Sequence, residues 1–90
     1  MVKLSRHAQT RMQQRGIPGF ILSLLLDNGE SYNDGRGAEV IYFTKKVRQQ
    51  LRKLLSHSEY VRAERHFDIY AVMASETLIT VGHRTQKIYR

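Results

Sequence analysis

Apolar positions recur at helical spacing through the first third of the chain and give way after residue 30 to short runs of strand type. Leu4, Ala8 and Met12 share one stripe at 100° per residue, while Gln9 and Gln13 face away from it. Ser5 is a good N-cap, residues 6–14 hold neither glycine nor proline, and Arg15-Gly16 offers a cation for the last turn and a glycine to end it. The spacing predicts a first helix here, with His7, Arg11 and Gln14 along the flank of its apolar stripe. A second helix is expected after Ile17, with Pro18 near its first turn. Residues 20–26 are apolar nearly all round, which calls for burial on more than one side or docking to another chain.

Residues 30–34 and 38–43 read as two strands joined by Gly35-Arg36-Gly37, whose glycines permit the positive φ angles of a tight hairpin. Thr44 then caps a third helix over about residues 45–57, with Val47, Leu51, Leu54 and Leu55 as its apolar line. After Ser58-Glu59-Tyr60 comes a polar connector or an edge strand through Glu64. Residues 67–74 and 78–83, separated by Ser75-Glu76-Thr77, should pair antiparallel at the centre of the sheet. In the last strand, strict alternation sets Leu78, Thr80, Gly82 and Arg84 on one side and Ile79, Val81 and His83 on the other. The order α-α-β-β-α-β-β defines a single α+β domain, with two N-terminal helices packed on a small antiparallel sheet and a third helix before the last two strands.

Composition narrows the function classes. The 90 residues leave room for one domain, no apolar run is long enough to span a bilayer, and Met1-Val2-Lys3-Leu4-Ser5-Arg6 lacks the apolar core of a secretory signal, so a cytoplasmic location away from membranes is expected. The absence of cysteine removes thiolate chemistry and cysteine-based zinc sites, and the four histidines lack metal-ligand spacing. Neither a metal nor another cofactor is expected. A net charge of +7 points to a polyanionic partner, and arginine outnumbers lysine two to one, which suits bidentate phosphate contacts. The third helix is basic on every side that is not apolar, with Lys46, Gln50, Lys53 and His57 along one flank and Lys45, Arg48 and Arg52 beyond the other. That surface could track phosphates, or it could be an ordinary solvated helix face.

Three segments carry a resemblance: His7-x3-Arg11-Met12-x2-Arg15-Gly16-Ile17-Pro18, then Asp27-Asn28-Gly29-Glu30, and finally Ile79-Thr80-Val81-Gly82-His83-Arg84. Together they resemble a family of small, uncharacterised bacterial domains related to the RelE/ParE toxin superfamily. The resemblance covers both ends of the chain, and residues 44–64 are less distinctive. It implies a RelE-like fold and a metal-independent endoribonuclease of toxin–antitoxin type, acting on RNA that is free or ribosome-bound and restrained by an antitoxin protein.

Cleaving RNA without a metal takes a base for the 2′-hydroxyl, an acid for the leaving oxygen and cations on the phosphate. His7 is the first candidate for acid or base and His83 the second. Arg11 and Arg84 are candidate phosphate clamps, and Thr80 an accessory donor. Arg15, Lys45, Lys46 and Lys53 are candidate contacts to the nucleic acid. Structural roles compete with each of these. His7 could serve a backbone carbonyl, His83 on a face with Ile79 and Val81 reads rather as a satisfied half-buried histidine, and His57 and His66 read as surface residues. The tyrosines could stack bases or simply pack the sheet. A non-catalytic nucleic-acid-binding module and a protein-interaction unit that dimerises through the apolar second helix are the alternatives to an enzyme.

Overall fold

A computed structural model describes residues 3–84. Strand β1 (Lys3–Leu4) leads into α1 (Arg6–Arg15), capped by the Ser5 hydroxyl, which accepts from the Ala8 amide at 3.0 Å. Gly16 closes the helix at φ 62°, in the left-handed region where glycine has no side chain to strain. Helix α2 (Gly19–Asn28) follows Pro18 and buries Ile21, Leu22 and Leu25. Strands β2 (Glu30–Asn33) and β3 (Glu39–Tyr42) form the expected hairpin. Its turn is held by Asp34 Oδ1, which accepts from the amides of Arg36 at 2.7 Å and Ala38 at 3.2 Å, with Gly35 and Gly37 at positive φ.

The next region departs from expectation. Helix α3 (Lys45–Leu54), capped by Thr44 as anticipated, stops where Leu55 turns extended, and a separate helix α4 (His57–Glu64) begins at once. The stretch after Tyr60 through Glu64, expected as a connector or an edge strand, is therefore helical. A capping box drives the break: the Ser56 hydroxyl accepts from the Glu59 amide at 3.2 Å, and the Glu59 carboxylate accepts from the Ser56 amide at 2.9 Å. Leu54, the last residue of α3, does not join the buried Val47 and Leu51 of its apolar line and is 72% exposed.

Strands β4 (Ile69–Ala74) and β5 (Thr77–His83) pair antiparallel, as expected. The sheet order is β1-β5-β4-β3-β2, and β1 runs parallel to β5, so the sheet is mixed rather than wholly antiparallel. The Ser5 amide donates to the Leu78 carbonyl at 3.0 Å and its hydroxyl to the Ile79 carbonyl at 2.9 Å, so one residue caps α1 and ties it to β5. Alternation along β5 is broken as well. Met73 pairs with Leu78 and Val72 with Thr80, which leaves Ile79 as a bulge. Leu78 and Val81 consequently both enter the core, and Ile79 faces out.

The core lies between one face of the sheet and the helices. Ala8, Ile21, Leu25, Val47, Leu51 and Ala63 meet Ile69, Ala71, Leu78 and Val81 in a single buried cluster. The opposite face carries Tyr42, Tyr70, Val72, Thr80 and Gly82, with the Arg84 guanidinium 4.7 Å over the Tyr42 ring. No described helix is long and apolar enough to cross a membrane.

Candidate nucleic-acid interface

Positive charge in this fold is left uncompensated. Helices α1 and α3 contain no acidic residue, and the first acid in the chain is Asp27. Among the described residues, no lysine or arginine lies within 4.0 Å of a carboxylate, and the basic side chain that does approach one is His83, beside Asp68. Arg62 and Arg84 instead rest on aromatic faces, Arg62 at 5.3 Å from the Phe20 ring. Cations without carboxylate partners repel one another and are free to take phosphate oxygens, releasing condensed counterions as they do.

Part of this charge is organised into a groove of about 340 Å³ between α3 and α4. Lys45, Arg48 and Arg52 come from one stripe of α3, Tyr60 and Glu64 from one side of α4, and Phe67 adds an aromatic surface. Phe67 is fixed by Phe43 at 5.1 Å and Tyr60 by Phe67 at 5.5 Å, both ring to ring. Lys45 belongs to the groove. Lys46 and Lys53 are exposed on α3 but do not line it.

The histidines gather elsewhere. His83 Nδ1 is 3.1 Å from Asp68 Oδ1, and Nε2 is 3.4 Å from the Arg15 carbonyl at the end of α1. Both neighbours accept hydrogen bonds, so an imidazole protonated on both nitrogens satisfies both contacts. His66 lies 6.4 Å away, ring to ring, and is half-buried rather than a surface residue. Its Nδ1 is shielded and has no partner among the described residues. Burial holds its pKa below the ordinary value; the charge of His83 adds to that shift and Asp68 opposes it.

These positions spread the sequence-derived candidates over several surfaces. His7 is exposed in the first turn of α1, and Arg11, one turn on, is half-buried with its Nε shielded and without a described partner. Arg15 is exposed and contributes its carbonyl to His83. His7 and His83 therefore sit at opposite ends of α1, about 12 Å apart along its axis. Thr80 and Arg84 lie on the far face of the sheet from α1, Thr80 half-buried with its hydroxyl 3.5 Å from the Val81 carbonyl. The structure brings His83, Asp68 and His66 together and leaves the exposed His7 and the half-buried Arg11 as a separate pair on α1. Asp68 joins the candidates only in three dimensions, since nothing in sequence sets it opposite His83, and the fold is what brings Tyr60 into one groove with Arg48 and Arg52.

Among the described residues, no group of three or more histidines, aspartates and glutamates is placed to hold a metal ion. Compared with known proteins, the chain matches no family model, no curated protein and no solved structure, so its function is argued from its own residues.

Proposed function

We propose that the protein binds RNA and acts as a RelE-like, metal-independent endoribonuclease of toxin type, restrained by an antitoxin. The observation that carries the RNA-binding part is the set of lysines and arginines on α1 and α3 that face no carboxylate. An acidic antitoxin segment is the protein partner that this charge complements. The exposed His7 beside Arg11 supplies the catalytic part. Transfer of the 2′-hydroxyl proton to His7, attack of that oxygen on phosphorus and loss of the 5′-oxygen, protonated by water, yields a 2′,3′-cyclic phosphate and a free 5′-hydroxyl end. Arg11 holds the phosphate as charge builds on it.

A second reading, RNA binding without cleavage, is favoured by the engagement of His83 with two acceptors, which occupies the other histidine candidate for proton transfer. Induced expression in a bacterial host separates the two. Growth arrest with cut RNA from wild type, and none from equally abundant His7→Ala or Arg11→Ala, supports the enzyme. Absence of arrest and of cut RNA with abundant, folded wild type overturns it in favour of binding alone.

A further inference from the structure

The geometry points to the groove between α3 and α4 as the seat of one nucleotide of single-stranded RNA, its phosphate on Arg48 and Arg52 and its base against Tyr60. This rests on the RNA-binding part of the reading above and is independent of cleavage. At about 340 Å³ the groove is of the size that holds small ligands. Its chemistry is divided in the way a nucleotide is divided. Lys45, Arg48 and Arg52 recur on α3 at intervals of three and four, which brings their side chains to one wall. Guanidinium groups meet phosphate oxygens through paired N–H donors, and neither arginine is paired to a carboxylate.

The other wall is aromatic and acidic. Tyr60 is held edge-on to Phe67 at 67° between ring planes, so little ordering remains when a base stacks on it. Glu64 lines the same groove and is not ion-paired with its cations. Its carboxylate is an acceptor for a base amino group or for the ribose 2′-hydroxyl, the group that marks RNA. Glu64 also disfavours a bare anion, so inorganic phosphate is a poorer fit than a whole nucleotide.

The same helix provides its own control. Lys46 and Lys53 lie about 100° round α3 from the groove stripe, and removing them subtracts the same charge without touching the groove. The experiment is fluorescence anisotropy with a labelled single-stranded RNA of about twelve nucleotides. It compares wild type with Arg48→Ala/Arg52→Ala and with Lys46→Ala/Lys53→Ala. All four side chains are exposed, and matching thermal melts establish that the variants are folded. Affinity should fall about tenfold or more for the groove pair and by about threefold or less for the flanking pair at moderate salt. Tyr60→Leu should lose about fivefold or more, whereas Tyr60→Phe, which keeps the ring on Phe67, should bind like wild type. Equal losses from the two double variants mean a diffuse charge effect and overturn the groove. Full affinity in folded Tyr60→Leu overturns the base seat. Absence of RNA binding by wild type overturns the groove together with RNA binding, while binding without cleavage overturns only the enzyme reading.

Discussion

His83 and Asp68 are fifteen residues apart in the chain and 3.1 Å apart in the fold, where their contact fastens the end of β5 to the residue just before β4. The second ring nitrogen of His83 reaches the last turn of α1, so this imidazole joins a helix to the sheet.

His83 and His7 should therefore separate stability from chemistry. His83→Ala is expected to cost about 1 kcal/mol, since it removes two partly exposed hydrogen bonds, one of them to a solvent-facing carboxylate. His7→Ala should leave stability within about 0.5 kcal/mol, because the side chain is exposed. Urea unfolding measures both. If His7 cuts RNA, its removal should abolish cleavage, while His83→Ala, assayed below its melting temperature, should cleave at an unchanged rate.

Acid should weaken the fold through His66. Its folded pKa lies below the ordinary 6.5, so between those two values the unfolded chain takes up a proton that the folded chain resists. The stability this group contributes is complete above about pH 6.5, is lost as pH falls through that window, and changes no further below the folded value. The melting temperature should drop between about pH 7.5 and about pH 5.5, and His66→Gln should flatten that slope. Glu59, whose pKa its hydrogen bonds to Ser56 hold below 4.5, loses its contribution only in stronger acid.

Gly19, which opens α2, and Gly29, which follows its last residue, should respond oppositely to alanine. A Cβ on Gly29 would lie 2.6 Å from the Leu25 carbonyl oxygen and 2.7 Å from Ile41 Cγ2, where the end of α2 meets β3. Gly29→Ala should cost about 2 kcal/mol or more. Gly19 has open space around it and an ordinary φ, so Gly19→Ala should stabilise by about 0.5 kcal/mol through the unfolded chain. Denaturant midpoints decide both.

The cap that divides α3 from α4 is equally testable. Ser56→Ala removes one half of the capping box and should cost about 1 kcal/mol. Loss of helical circular dichroism in step with stability would locate the effect in α4.

That cap also shows what the sequence holds. Ser56-His57-Ser58-Glu59 is a legible helix start, with serine followed three residues later by glutamate, yet the apolar Leu54-Leu55 pair invites a single long helix across it. The N-terminal helices, the hairpin glycines, the Thr44 cap and the β4–β5 pairing are local patterns and can be read directly. Strand β1 has only two residues, too few to show a period, and it exists because β5 offers it a parallel edge. The bulge at Ile79 is silent for a similar reason: strand-forming residues on both sides conceal an inserted position, and the register is set by β4. As for the candidate site, basic residues can be seen in the sequence, but which of them share a groove depends on the angle between α3 and α4.

The pairing of β1 with β5 carries a consequence for the order in which the molecule is made. Ser5 and Ile79 are joined across 74 positions, and α1 has its main docking surface on β5. During synthesis the chain therefore carries the apolar stripe of α1 uncovered until nearly all of the sheet has been translated. The hairpin and α3 can form from near neighbours, whereas the α1 seam waits for Leu78 and Val81 to leave the ribosome. Any activity that needs α1 in place thus waits until β5 has been made and paired, a delay set by the sequence separation of the two elements.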